Sequence, residues 1–277
     1  MRLPQTEENL PATEIRSLFV HPKWRKYGLA VVLIAEVDRI IRKHKIGQYG
    51  IYTASFPITQ PVSKAKYFKR ALDLPYLMEC GVWELPKDVS LTRELHRISN
   101  FNFKKKNDGN FVFRKMQIED HKKVQELLNK HQRKFEMYHF FDQLEFEYYF
   151  THKNTRVESF VVLNEKHDIV GFTSYYSLSG LFPRIKDKKL VEIRASFNLY
   201  NFVEEEFFDW EQLITLSLLE AKKSGNHIYM MLDMGDNSNA LYSPNLFFQP
   251  SEEQLNYFIY NWKCKKLDNN QFSINFV

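Results

Sequence analysis

The first feature that could do chemistry is a basic turn between an apolar run and a helix-like segment. Arg25, Lys26 and Gly28 lie in this turn. Where a helix begins, free backbone N–H groups and the positive end of the helix dipole attract anions, so a pyrophosphate would fit here. One glycine is a weak motif, and the same pattern suits an ordinary strand-to-helix turn with two solvated cations.

The elements on either side of the turn are predicted from hydrophobic spacing. Ile15 and residues 18–20 form an apolar run that ends at His21-Pro22. Proline cannot donate a hydrogen bond to a sheet and favours a turn, so we expect a strand to end at His21. Apolar residues then recur at three- and four-residue spacing from Leu29 to Ile41, which predicts an amphipathic helix.

Composition limits the classes of protein that fit. The chain has 277 residues, 44% of them hydrophobic and 16% aromatic, which is enough for a large core. The net charge of +5 favours anionic ligands without demanding nucleic acid. Cys80 and Cys264 are too few for a disulfide framework and lack metal-ligand spacing, so we expect no metal and a reducing cytoplasm. The longest apolar run is too short to cross a bilayer.

A change of composition suggests a junction in the middle of the chain. Residues 90–110 are polar and basic, and they include the turn signal Asn107-Asp108-Gly109. We therefore divide the chain into residues 1–100 and 111–277. The charge run of three lysines at 104–106 is interpreted as a solvated loop.

The second part contains predicted helices and strands in alternation. Aromatic residues between 135 and 150 are interpreted as core, because basic residues are not interleaved with them as in a nucleic-acid surface. The spacing predicts helices around Val124–His131, Glu145–Phe150 and Trp210–Lys222, a hairpin of Phe160–Leu163 with Ile169–Tyr176, and a strand at Ile228–Met234.

Longer motifs resemble those of a known family. The turn from Arg25 to Ala30 is similar to the acetyl-CoA-binding turn of the GNAT acyltransferases. The pattern E-I-x-x-L-x-V-H-x-K-x-R, which starts at Glu14, resembles the acyl-CoA loop of the glycylpeptide N-myristoyltransferases. Further matches follow in that family's order: Tyr52-Thr53-Ala54, Pro61-Val62, Tyr67 with Arg70 and Leu72, and Tyr260-Asn261-Trp262-Lys263-Cys264.

The resemblance implies a mixed α/β (α+β) fold of GNAT type. It implies the last part of an acyl-CoA-binding half, residues 1–100, followed by a complete peptide-binding half, residues 111–277. The family's front half begins well before Met1, so we expect exposed apolar surface, low solubility, and a partner chain or a missing N-terminal region that completes the fold.

The implied reaction transfers a myristoyl group from myristoyl-CoA to the amine of an N-terminal glycine, with no permanently bound cofactor. Two backbone amides, which map onto Ser17 and Leu18, would stabilise the oxyanion of the attacked thioester. Without the resemblance, ordinary strand amides would be the preferred interpretation. The residues expected to contact acyl-CoA are Leu18, Val20, Arg25, Lys26, Tyr27, Gly28, Leu29 and Ala30.

The third catalytic residue implied is Val277, whose terminal carboxylate would deprotonate the glycine ammonium. Phe272, Ile274 and Phe276 alternate as in a strand that leads the terminus inward. The alternative is a frayed tail, the usual state of chain termini. An apolar tail favours the functional interpretation.

The implied peptide site departs from the family pattern at several positions. Arg16 replaces an asparagine, and its charge would repel an ammonium unless a carboxylate pairs with it. Glu252 keeps a carboxylate where the family has a glycine-flanked aspartate, and could meet a basic residue of the peptide. The residues assigned to the peptide site are Arg16, Thr53, Ser55, Tyr67, Lys69, Ser174 and Glu252.

Three functions remain open from the sequence. The first is an N-myristoyltransferase that acts on proteins with an N-terminal glycine. The second is a catalytically silent protein that retains only the peptide groove. The third, an acyltransferase for small acyl groups that uses only the basic turn, leaves the later motifs unexplained.

Overall fold

The computed structural model describes residues 1–16, 18–57, 59–85, 90–99, 110–151, 157–184 and 186–276, with no side-chain description for 96–99. The elements of the first part are β1 (Ala12–Ile15), α1 (Leu29–His44), β2 (Tyr49–Ala54), β3 (Ser63–Ala71), α2 (Leu74–Cys80) and α3 (Leu91–Ser99). Those of the second part are β4 (Val112–Lys115), α4 (His121–Gln132), β5 (Met137–Tyr138), α5 (Gln143–Phe150), β6 (Val157–Leu163), β7 (Ile169–Pro183), β8 (Leu190–Val203), α6 (Trp210–Lys223), β9 (Ile228–Leu232), α7 (Ser238–Leu241), β10 (Gln249–Tyr260) and β11 (Phe272–Ser273).

One mixed sheet of nine strands runs through both parts, in the order β1-β2-β10-β3-β9-β8-β7-β6-β4. The pairs β1–β2 and β8–β9 are parallel, and the other neighbours are antiparallel. Strand β10, from the C-terminal part, lies between β2 and β3 of the N-terminal part. The mixed α/β class expected from the sequence is confirmed. Of the predicted junction at residues 90–110, residues 100–109 lie outside the described residues, while 91–99 form α3. The division into two parts stays a prediction.

The hairpin and the long helix of the second part are confirmed, and local chemistry explains them. In the turn between β6 and β7, the Asn164 side-chain oxygen accepts hydrogen bonds from the backbone N–H groups of Lys166 and Asp168, both at 2.9 Å. Asp209 caps α6 by accepting from the N–H of Gln212 at 2.7 Å. Gly225 follows α6 at φ 76°, a left-handed conformation that ends a helix.

The predicted strand before the basic turn is wrong in its position. Strand β1 ends at Ile15, opposite Tyr52 of β2, and residues 18–20 are outside any strand. Leu18 and Phe19 are 51% and 67% exposed. An apolar run forms a strand only where a neighbouring strand and a core receive it, and neither is present at these residues.

Helix α1 is confirmed, but its apolar face is not buried. Its 16 residues include no buried one, and Val31 is 71% exposed. Helix α6 by contrast buries Leu213 and Leu218 completely between the sheet and neighbouring elements. The hydrophobic surface of α1 is therefore open, and no helix within the described ranges has the length and hydropathy to cross a membrane.

The difference between the two helices predicts that truncating a leucine side chain lowers the free energy of unfolding strongly in α6 and little in α1. Leu218→Ala should lower the free energy of unfolding by about 2–5 kcal/mol, because it leaves a cavity in the core. Leu33→Ala, at a position 45% exposed on α1, should change it by less than about 0.5 kcal/mol. Urea unfolding of both variants measures this, and equal losses would show that α1 packs against a core in solution.

Candidate functional site

Two of the three residues assigned to catalysis, Ser17 and Val277, lie outside the described residues, and their roles stay predictions. The third, Leu18, is exposed just beyond β1. The described part of the candidate site consists of the residues next to Ser17 and Val277. These are the end of β1, the basic turn, and the segment that leads to Phe276.

The basic turn forms as a compact start to α1. The backbone at Gly28 has φ 74°, and a side chain there would meet nothing within 4 Å, so conformation rather than space favours glycine. Arg25 Nε donates to the carbonyl oxygen of Val20 at 3.1 Å, and its guanidinium lies 5.9 Å from the centre of the Phe19 ring. Residues 25–29 are exposed at the helix N-terminus, which is compatible with an anion ligand there.

The side chain of Arg16 is held by a carboxylate at the end of β1. Arg16 Nε lies 3.2 Å from Glu14 Oε1, and the Tyr149 hydroxyl donates to Glu14 Oε2 at 2.6 Å. Burial raises the pKa of Glu14, although the Tyr149 hydrogen bond and the charge of Arg16 act in the opposite direction. The carboxylate expected beside Arg16 is therefore Glu14 of β1, two residues earlier in the chain.

An aromatic cluster lies next to this ion pair. Tyr67 of β3 contacts Phe197 of β8 at 6.0 Å between ring centres, and Phe197 stacks on Tyr176 of β7 at 5.2 Å. Burial raises the pKa values of Tyr67 and Tyr176, and the charge of Arg16 opposes the rise at Tyr176. Tyr67, assigned to the peptide site, thus belongs to an aromatic cluster with Phe197 and Tyr176, and the charge of Arg16 acts on the Tyr176 member of it.

The remaining residues assigned to the peptide site are spread along the sheet. Thr53 lies on β2 opposite Tyr257, and the Ser55 carbonyl accepts from the Asn256 side chain at 3.1 Å. The Lys69 ammonium lies 4.6 Å from the centre of the Trp83 ring.

The last two assigned residues have opposite environments. Ser174 is fully buried, and its hydroxyl donates to the Tyr200 carbonyl at 3.1 Å and accepts from the Tyr200 N–H. Glu252 is exposed on β10, where the register of the β10–β3 pairing shifts between Pro250 and Gln254. Peptide contacts for these residues stay predictions.

The C-terminal segment runs inward as far as it is described. Only Phe272 and Ser273 form strand pairs, with Met137 and Tyr138, so the predicted alternating strand is shorter than expected. Beyond them Ile274 and Asn275 are nonetheless buried. Sequence alternation identified Phe272 and Ile274, but it missed Asn275, because an asparagine in an apolar tail gives no hydrophobic signal.

A small polar cavity borders this segment. It is lined by residues that include His131, Asp236, Tyr200 and Asn275, and its volume of about 10 Å³ is roughly that of one water. His131 Nε2 lies 3.2 Å from Asp236 Oδ2, yet burial lowers the pKa of His131 despite this partner. Among the described residues, no three His, Cys, Asp or Glu side chains lie together as potential metal ligands, and both cysteines are free.

The lowered pKa of His131 predicts a pH dependence of stability. The unfolded chain binds a proton near the ordinary pKa of 6.5 and the folded chain only at lower pH, so the unfolding free energy should fall as pH drops below about 6.5. His131→Asn should flatten this fall, whereas Asp236→Asn should extend it to lower pH by removing the opposing charge. Urea unfolding of the unmodified chain and both variants between pH 7 and 5 measures the unfolding free energy. The same dependence of this free energy on pH in all three would contradict the assignment of the effect to His131.

Comparisons with known proteins fit this geometry. The family model described as Myristoyl-CoA:protein N-myristoyltransferase, C-terminal domain, matches residues 79–275, and the model of the N-terminal domain matches residues 1–65. Glycylpeptide N-tetradecanoyltransferase of Drosophila melanogaster is 28% identical over 273 residues, which are 99% of this chain and 56% of that protein. Glycylpeptide N-tetradecanoyltransferase 2 of Bos taurus is 30% identical over 254 residues, or 91% of this chain and 48% of that protein.

Solved structures agree with the sequence comparisons. The N-myristoyltransferase of Saccharomyces cerevisiae, solved with bound myristoyl-CoA, superposes with a TM-score of 0.85 at 26% identity, covering 97% of this chain and 63% of that one. The chain therefore spans about half to two-thirds of the proteins it matches. On these matches, which include a family model over more than half of its residues, the chain belongs to the N-myristoyltransferase family.

Proposed function

We propose that this chain transfers a myristoyl group from myristoyl-CoA to the N-terminal glycine amine of proteins, as a cytoplasmic protein-lipidation enzyme. The observation that carries the proposal, in a chain of this family, is the inward course of residues 272–276. A terminus on that course supports a carboxylate near the acceptor amine. Myristoyl-CoA is a substrate here, and no permanent cofactor is needed.

In the proposed reaction, the glycine nitrogen loses two protons, and each has its own acceptor. The Val277 carboxylate accepts one proton from the glycine ammonium, which leaves a free amine to attack the thioester carbonyl. The backbone N–H groups of Ser17 and Leu18 stabilise the oxyanion. When the carbon–sulfur bond breaks, the CoA thiolate leaves and takes the second proton of the nitrogen.

The ion pair at the end of β1 explains how this site tolerates Arg16. Because Glu14 lies 3.2 Å from its guanidinium, the pair adds little net charge where an ammonium must arrive. The basic turn at residues 25–30 supports the other end of the reaction, since its exposed helix start suits a CoA pyrophosphate.

The Arg16–Glu14 pair can be tested with a matched pair of variants. Glu14→Gln should raise the KM for a glycine peptide about tenfold, because it leaves the guanidinium charge unpaired. The double variant Glu14→Gln with Arg16→Asn should restore most of the loss. Steady-state kinetics at varied peptide concentration measure both, and a single variant with unchanged KM would contradict the role of the pair.

The transfer itself is tested with the acyl donor and two peptides. Myristoyl-CoA should raise the Tm and, with a peptide that begins with glycine, yield a myristoylated product visible by mass spectrometry. The same peptide with an acetylated amine is the control and should give none. No thermal shift and no product at saturating donor would refute the proposed function.

The terminal carboxylate has its own test. One alanine added after Val277 should lower kcat by at least about 100-fold, because a displacement of even 1 Å is costly for a positioned base. Myristoyl-CoA binding should be unchanged. An extended chain with the original kcat would remove the carboxylate from the mechanism.

A second function, a binding protein for glycine-starting peptides, is favoured by the exposure of α1. No residue of α1 is buried and its apolar face is open, as expected if this chain retains only the peptide groove. Peptide binding measured by calorimetry without acyl-CoA, combined with no product in the transfer assay, would select this function over the enzyme.

A further inference from the structure

The segment that leads to Val277 is held by hydrogen bonds between its backbone and side-chain hydroxyls of the sheet. Its pairing with β5 ends at Ser273, and buried backbone groups beyond a strand need other partners. Two tyrosine hydroxyls from the sheet provide them. Tyr257 on β10 donates to the carbonyl oxygen of Ile274 at 3.1 Å, and the hydroxyl of Tyr200 on β8 hydrogen-bonds the backbone of the next residue, Asn275.

Tyr200 binds both backbone groups of Asn275. Its hydroxyl accepts from the Asn275 N–H at 2.9 Å and lies 3.3 Å from the Asn275 carbonyl oxygen, to which it donates. The Asn275 side-chain amide in turn donates to the carbonyl oxygen of Leu199, the neighbour of Tyr200 on β8. Three hydrogen bonds thus fix one residue against one point of the sheet, and Tyr200 and Asn275 are 2% and 5% exposed.

Ring packing strengthens the attachment on the other side. Tyr257 lies against Phe272 at 4.8 Å and stacks on Phe276 at 5.9 Å between ring centres. Phe272, two residues before Ile274, and Phe276, directly after Asn275, therefore both contact the tyrosine that binds Ile274. The chain has only two residues to travel from Asn275 to Val277, about 7 Å at full extension.

We infer that Tyr200 and Asn275 are positioning residues that aim the terminal carboxylate, an inference that rests on the proposed role of Val277 as base. Neither side chain needs to touch the substrates. Their hydrogen bonds restrict the backbone two residues before the carboxylate, so that the carboxylate does not sample the many directions of a free tail.

The experiment compares Tyr200→Phe with Tyr229→Phe. Tyr229 is also buried, but its hydroxyl bonds to Ser217 and Asn198 and not to the C-terminal segment, so its loss controls for general destabilisation. Hydrogen exchange of the C-terminal peptide, followed by mass spectrometry, should be roughly fivefold faster in Tyr200→Phe and unchanged in Tyr229→Phe. Asn275→Ala, a second variant, should also exchange faster.

Kinetics complete the test. Tyr200→Phe should lower kcat roughly 10- to 100-fold while the peptide KM stays within about twofold, because the variant disturbs the base and not peptide binding. Unchanged exchange or an unchanged kcat in Tyr200→Phe would overturn the inference. If the unmodified chain gives no product, the proposed function fails, and the exchange data alone then decide whether Tyr200 holds the segment: faster exchange supports this and unchanged exchange refutes it.

Discussion

The insertion of β10 between β2 and β3 is the constraint on which the rest of the sheet depends. Strands β1 and β2 pair with each other, and β10 connects them to the other six strands. Glu14 lies on β1, Arg16 follows this strand, and the basic turn comes later in the same segment, so β10 connects these residues to the C-terminal part of the sheet. The tyrosine that binds the carbonyl of Ile274 also lies on β10, so this strand contacts the C-terminal segment of the proposed site as well.

The site combines polar groups that are buried with others that are open. The Tyr149 hydroxyl donates to Glu14, and the Tyr200 hydroxyl bonds to the backbone of Asn275, so each tyrosine has a partner inside the protein. The basic turn has the opposite character, because its charges are solvated and its ligand would be a strongly charged phosphate. The proposed transfer would use both, one to orient a base and one to hold an anion.

Much of the fold was predictable from sequence, because helices α1 and α6 and the β6–β7 hairpin carry strong local signals. The strand before the turn was misplaced, since residues 18–20 are apolar but have no neighbouring strand. Motif resemblance assigned Arg16 and Tyr67 to the peptide site, and this assignment stays a prediction. The resemblance could not locate Tyr149 or Tyr200, because each contributes one hydroxyl from a residue that sequence reasoning assigns to the core. Tyr149 is 135 residues away in sequence from Glu14, and Tyr200 is 75 residues away from Asn275. Hydrophobic periodicity does not detect contacts over such separations.

The exposure of α1 has a consequence for how this helix melts. A helix of 16 residues without tertiary burial is close to the length at which isolated helices are marginal in water. Its free energy of opening is then set by its own helix–coil balance and its intrahelical ion pairs, such as Arg39 with Glu36, and not by global unfolding. The chain would accordingly unfold in two steps, with α1 opening while the nine-stranded sheet is still intact.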